Sequence, residues 1–200
     1  ALPAETYRLA AAPEVLGIAA RLRPPDADVL SAALRAVWRP ALPLVEEVVD
    51  RAAALGARLA ARRAPEVICH NDPHLGNVVV DDEDGVWLLD WDDCLLAPRE
   101  RDLVLVHDWA FPDCVPGQGA IGARELGWFR EGYGDEPVDA ELLAWFTAVR
   151  AVEELTWATR ALDRDEDAAA RAFALEIVRW QLSPSGVPAT ALRRMAAVAA

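Results

Sequence analysis

The chain has no lysine: all 20 of its basic residues are arginine. Chemistry that needs a Schiff-base lysine, or a lysine on a nucleotide phosphate, must find that group outside these 200 residues. Serine is nearly as scarce. Ser31, Ser183 and Ser185 lie in helical or Pro-rich contexts with no nucleophile elbow, which leaves a serine triad without its nucleophile. The three cysteines, Cys69, Cys94 and Cys114, are odd in number and irregularly spaced, so they read as reduced thiols of a cytoplasmic protein rather than a disulfide framework. Only three histidines are present, His70, His74 and His107, too few for a closed zinc centre. No apolar run reaches bilayer length, and "ALPAETYRL" has no basic stretch leading into an apolar one. Positive charge is in deficit, at a formal net −13, which argues against a nucleic-acid partner; the excess acid would welcome a cationic ligand, and plain acidic solvation accounts for it equally well.

What is present suffices for one core. With 54% hydrophobic and 26% charged residues, no internal repeat and no low-complexity linker, residues 1–200 read as a single domain. Apolar spacing is mostly helical. From Asp28 to Arg63 it predicts two helices divided at Pro40 and Pro43, the first capped by Asp28 or Asp26. Further helices are predicted over Glu100–Trp109, Ala123–Tyr133, Asp139–Leu162, Glu166–Leu182 and Ala189–Val198, with "FPDCVPGQG" the longest break. Strand signals are confined to "VIC", "NVVV" and "VWLLDW", and "DDEDG" reads as a hairpin turn. The expected fold is mainly α with a small central β-hairpin.

Between "EVIC" and "NVVV" stands "HNDPHLGN", His70 to Asn77. If Val78–Val80 pairs with Val86–Leu88 around Asp81–Gly85, the ladder sets Asn77 beside Leu89 or Asp90 at the open end of the hairpin. Asp72 lies in the loop feeding the same end. Asp72, Asn77 and Asp90 therefore converge, and their hard oxygens suit Mg²⁺ with waters and substrate phosphates completing its shell. Phosphoryl transfer needs this set: a carboxylate for the attacking hydroxyl, and a carboxylate plus an amide to hold metal. The bland alternative is a polar turn whose Asp and Asn only cap backbone groups; the second acidic cluster "LLDWDD" at hairpin distance favours chemistry.

"HNDPHLGN" matches the H-x-D-x-x-x-x-N catalytic-loop spacing of protein and small-molecule kinases, and "LLDWDD" occupies the place of their D-F-G segment. The D-W form resembles the aminoglycoside phosphotransferase and choline kinase superfamily. "LLDWDDCLLAPRERDL" and "FREGYG" resemble its spectinomycin-phosphotransferase-like members more closely, and the likeness runs over about residues 65 to 160. It implies that Asp72 is the catalytic carboxylate, that Asn77 and Asp90 bind Mg²⁺, and that His70 and Asp102 brace the loop. His74 stands where protein kinases put a lysine near the transferred phosphate, and Asn71 replaces the arginine that senses activation-loop phosphorylation.

The family carries an N-terminal β-rich lobe with a phosphate-covering loop and a lysine, and this chain shows neither; its first sixty residues contain only Gly17 and Gly56. The resemblance thus implies a kinase-like C-terminal lobe, inactive by itself, with an exposed surface prone to self-association where the other lobe would sit. The expected reaction moves the γ-phosphate of ATP or GTP to a hydroxyl of a cationic small molecule such as an aminoglycoside or aminocyclitol antibiotic. Choline, a sugar or an amino alcohol as acceptor, and a kinase-like binding module without turnover, are the alternatives. Acceptor recognition calls for carboxylates and aromatic faces, for which Asp92, Asp93, Asp108, Trp109, Glu153, Glu154 and Trp157 are candidates. Core packing is the competing role for Trp157, and a solvated helix face for Glu153 and Glu154.

Overall fold

The computed structural model describes residues 1–22, 28–62, 64–107, 123–134, 136–163 and 168–199. Among them run α1 (Ala12–Arg21), α2 (Val29–Leu59), β1 (Val67–Cys69), a 3-10 turn (Leu75–Asn77), β2 (Val78–Val80), β3 (Val86–Leu88), β4 (Leu95–Ala97), α3 (Glu100–His107), α4 (Ala123–Tyr133), α5 (Ala140–Asp163), α6 (Ala168–Gln181) and α7 (Val187–Ala197). The helices predicted after Pro98 are present with shifted ends, whereas α1, with Pro13 in its first turn, was not anticipated. Asp26, Asp108, Trp109, Cys114 and the "FPDCVPGQG" loop lie outside the described residues.

The division of α2 is corrected. One helix of 31 residues runs through both Pro40 and Pro43. An interior proline removes a backbone hydrogen bond and costs about 3 kcal/mol, yet both rings lie on the exposed side while Leu34, Trp38, Val45 and Val48 are buried on either side of them. Packing outweighs the local penalty. Asp28 caps α2: its Oδ1 accepts from the Ser31 amide at 2.8 Å and Oδ2 accepts from Arg171 at 3.1 Å. Those bonds, the Ser31 amide first, hold the Asp28 carboxyl down at about 2.

α5 is the central helix, in contact with α1, α2, α3, α6 and α7. Leu142 to Val149 are buried without interruption, the mark of a helix enclosed on all sides. Its buried hydroxyls turn inward on the helix, Thr147 to the Leu143 carbonyl and Thr156 to that of Val152, each at 2.7 Å. Gly56 lets α2 approach: a Cβ there would come within 2.6 Å of the Trp145 ring and 2.5 Å of the Tyr7 carbonyl oxygen.

The strands form two antiparallel pairs. β2 and β3 pair Val78↔Leu88, Val79↔Trp87 and Val80↔Val86, the register the sequence predicts. In the turn, Asp81 Oδ1 accepts from the amides of Glu83 and Gly85 at 2.9 and 2.7 Å. β1 pairs with β4, Val67↔Ala97 to Cys69↔Leu95, a strand the apolar pattern did not reveal. The N-terminal segment joins this pair through Glu5 N–H to the Leu96 carbonyl and Leu96 N–H to that of Pro3, both 2.8 Å.

Candidate active site

The loop from His70 to Asn77 leaves β1 and is held from below. The Asp102 carboxylate, in the first turn of α3, accepts from the amides of His70 and Asn71 at 2.8 Å each. Buried His70 uses both ring nitrogens: Nδ1 accepts from the Asp72 amide at 3.2 Å, and Nε2 lies 2.6 Å from the Leu89 carbonyl. An amide can only donate and a carbonyl only accept, so the proton sits on Nε2 of a neutral ring. No lone pair is left for a metal, which closes the zinc alternative at this residue. His70 therefore joins the His70–Asn77 loop to the chain leading into Asp90, and the Trp91 ring meets it edge-on with centroids 4.7 Å apart.

Asn71 takes φ 77°, a left-handed conformation that Asn tolerates, and its side-chain oxygen accepts from Arg101 Nε. Arg101 also lies 3.0 and 2.9 Å from the two carboxylate oxygens of Glu153 through one nitrogen. At Asp72, Oδ1 accepts from Arg150 Nη2 at 2.8 Å, and Oδ2 lies 3.4 Å from Nε2 of His74. His74 Nδ1 accepts from the Gly76 amide at 2.9 Å, which leaves Nε2 as the nitrogen that carries the proton of the neutral ring facing Asp72.

Asn77 and Asp90 complete the open end of the hairpin. The Asn77 amide nitrogen donates to the Asp72 carbonyl at 2.9 Å, and the Leu89 N–H donates to the Asn77 carbonyl at 2.8 Å. With its NH₂ so committed, the Asn77 side-chain oxygen is the atom left for a ligand. Asp90 is exposed, adopts φ 63°, and among the described residues its carboxylate has no hydrogen-bond or ion-pair partner. Asn77 is thus tied to the Asp72 backbone by its side chain and to Leu89, the residue before Asp90, by its carbonyl.

The weaker candidates divide. Asp93 and Glu153 line one cavity of about 250 Å³ together with Glu5, Asn71, Arg101 and Val149. Burial pushes the Glu5 carboxyl up against the opposing pull of the Tyr7 amide. Asp92 is an exposed turn residue beside that group. Trp157 is 51% exposed, so core packing is not its role. The solvated-face reading of Glu154 fails as well: its side chain is 13% exposed and paired with Arg150 at 2.5 Å. Burial pushes the Glu154 carboxyl up despite Arg150 beside it. Sequence reasoning missed Arg150, Arg101 and Glu5. The signal available for Arg150 was its helical spacing: Arg150, Glu154 and Trp157 stand on one stripe of α5.

Two solved structures resemble this arrangement over nearly its whole length. A crystal structure of spectinomycin phosphotransferase, APH(9)-Ia, in complex with ADP and spectinomycin matches with a TM-score of 0.72 at 25% identity, over 96% of this chain and 57% of that one. An AMP-bound complex of spectinomycin phosphotransferase, APH(9)-Ia, matches with a TM-score of 0.76 at 25% identity, over 96% and 58%. The chain therefore spans less than three-fifths of either neighbour. No curated protein matches it. The family model described as APH, phosphotransferase enzyme family, matches residues 6–136, more than half of the sequence and all of the loop and hairpin just described. The chain belongs to the phosphotransferase enzyme family.

Proposed function

We propose that the chain is the catalytic lobe of a small-molecule kinase, which transfers the γ-phosphate of ATP or GTP to a hydroxyl of a cationic acceptor of the aminoglycoside or aminocyclitol kind. The observation that carries this reading is the tie of Asn77 to the Asp72 backbone and to Leu89, which sets Asp90, unpartnered among the described residues, next in the chain at the same end of the hairpin. Family membership and the ADP- and spectinomycin-bound neighbour support it.

In this reading Asp72 Oδ2 orients the acceptor hydroxyl and takes its proton, while His74 Nε2–H stands beside the transferred group. The donor set at Asn77 and Asp90 fits Mg²⁺: two hard oxygens free of protein partners, with no caging cluster of three or more His, Cys, Asp or Glu among the described residues. When bound, the ion would neutralise charge on the nucleotide phosphates. The cavity lined by the carboxylates of Glu5, Asp93 and Glu153 also takes in Asn71, the residue before Asp72, and its acidic lining suits an acceptor bearing ammonium groups. No described helix is long and apolar enough to cross a membrane, and a nucleotide-dependent enzyme fits the cytoplasm.

The nucleotide clamp belongs to a β-rich lobe that we expect to pack on the exposed residues Val79, Val80, Val86, Trp87 and Leu89. The test is a paired assay of this chain, and of a protein carrying an N-terminal lobe before it, with ATP, GTP and a panel of aminocyclitols and amino alcohols. Turnover should appear only in the two-lobed protein, and Asp72→Asn should reduce it by roughly 10² or more. Robust turnover by the 200-residue chain alone would overturn the C-lobe assignment, and silence from both proteins would overturn the kinase reading in favour of a binding module.

A further inference from the structure

We infer that Arg150 is a positioning residue for the reaction, a guanidinium clamp from α5 that fixes the rotation of the Asp72 carboxylate and so presents Oδ2 to the acceptor hydroxyl. The inference rests on the kinase reading above and deepens it.

Three observations carry it. First, one nitrogen of Arg150, Nη2, bridges Asp72 Oδ1 at 2.8 Å and Glu154 Oε1 at 2.5 Å. The Asp72 backbone is already held at both ends, its N–H by His70 and its carbonyl by Asn77, so the side-chain rotations about Cα–Cβ and Cβ–Cγ are the freedoms that remain. Tying Oδ1 restrains both and leaves Oδ2 to His74 and the substrate. Second, the clamp is embedded. Arg150 and Glu154 side chains are 18% and 13% exposed, and charge pairs shielded from water are both stronger and stiffer than surface pairs. Third, Arg150 Nε is buried with no hydrogen-bond partner among the described residues. A buried donor left unpaired forfeits its bonds to water with nothing in return. A residue selected only to satisfy the interior has no reason to carry that cost, whereas one placed so that its far nitrogen reaches Asp72 does.

The arrangement also assigns Glu154. It is not free to bind an acceptor amine while it anchors Arg150; its work is to hold the clamp from the side away from the substrate. Positioning effects of this kind are worth up to about 10² in rate, because a misplacement near 1 Å spoils the attack geometry.

Two measurements test the clamp. In the two-lobed kinase assay, Arg150→Met should lower kcat about 10- to 100-fold with acceptor KM within about threefold, and Arg150→Lys, whose single nitrogen can replace Nη2, should recover at least a third of the lost activity on a logarithmic scale. Unchanged kcat in a folded Arg150→Met protein, or a loss confined to KM, overturns the inference. The second measurement needs no turnover. In the 200-residue chain labelled with ¹⁵N-arginine, assigned through Arg150→Lys, the Arg150 guanidinium should show restrained Cζ–Nη rotation that Asp72→Ala, which removes the acceptor oxygen, makes measurably faster even with Glu154 still in place, without lowering Tm by more than a few degrees. A guanidinium that rotates freely in the wild type, or is indifferent to Asp72→Ala, overturns the clamp even if no acceptor is ever phosphorylated. Absence of turnover in the wild type defeats the kinase reading on its own, and the guanidinium signal still decides whether Arg150 holds Asp72.

Discussion

The two sides of the hairpin's open end are built differently. On one side, the loop around Asp72 is tied in from several directions: Asp102 holds the His70 and Asn71 amides, His70 spends both ring nitrogens, and Arg150 holds one carboxylate oxygen. On the other side, Asp90 projects from a left-handed residue without partners among the described residues, next to half-exposed Leu89 and Trp91. The contrast fits the division of labour in phosphoryl transfer. A group that handles a proton gains from being held in place before the substrate arrives, whereas a metal ligand must keep its oxygens uncommitted until the ion and its phosphates complete the shell. It also means that the two sides answer perturbation differently, and thiol chemistry reads this with the largest expected effect.

Cys69 lies on the held side, at the end of β1, and Cys94 on the open side, just past the acidic turn. Burial, with the nearby Asp102 charge adding to it, pushes the Cys69 thiol up to about 12. At pH 8 roughly one such thiol in ten thousand is ionised, about a thousandfold less than for a free cysteine near 8.5, and the thiolate is the reactive form. In a Cys114→Ser background, half-exposed Cys94 should react with an aromatic disulfide while Cys69 stays silent until the chain unfolds. Comparable labelling rates under native conditions would erase the distinction between the two sides.

Removing the brace is next in size. Asp102→Ala strips the acceptor from two amides at once, and each buried donor left unpaired costs about 1–3 kcal/mol, so urea denaturation should show a loss of about 2–4 kcal/mol. Asp102→Asn retains one acceptor oxygen and should lose about half as much. A loss below about 0.5 kcal/mol for Asp102→Ala would mean that the loop is held by other means.

These differences also mark what could be read from the sequence. The hairpin register, the adjacency of Asn77 to Leu89 and the cap at Asp28 were legible because each depends on residues within about a dozen positions of one another, joined by one short turn or none. β4 was not, since "LLA" is too short to carry a period and becomes a strand only by pairing with β1 across the intervening hairpin. α2 was misread because proline rules describe the local cost, while Trp38 and Val45, packed on either side of the two rings, supply the tertiary gain. The His70–Asp102 contact was reachable only through family resemblance. For Arg150 the sequence offered only a helical spacing with Glu154, and for Arg101 nothing, because a helical arginine 78 residues from its partner looks like any solvated charge until α5 is placed beside the loop.

The closed end of the same hairpin should be an adhesive one. Val80 and Val86 face each other across the hairpin and are 61% and 71% exposed. Apolar surface of this kind drives association, and a cross-strand pair of opposite charges there, Val80→Lys with Val86→Glu, should weaken self-association by about tenfold, near 1.4 kcal/mol, while leaving the hairpin paired. Sedimentation velocity over a concentration series measures the shift. If the wild-type chain stays monomeric throughout, the hairpin surface is not an association site.

The smallest expected effect on stability is the most informative about the open side. Asp90→Asn removes one charge from a residue that has no protein partner among the described residues to lose, and Asn tolerates the left-handed φ of 63° at least as well as Asp. Urea denaturation should therefore find the two proteins within about 0.5 kcal/mol. Metal binding should behave in the opposite way. An amide oxygen is a poorer ligand for a hard divalent cation than a carboxylate, and with only Asn77 beside it the shell would be left mostly to water. Titration with Mn²⁺ as a paramagnetic probe should accordingly show weak binding to the wild type and none to Asp90→Asn at the same concentrations. Equal binding by both would take the metal away from Asp90, and a stability loss of a kilocalorie or more would show that Asp90 is tied into the fold after all, making the two sides of the hairpin alike.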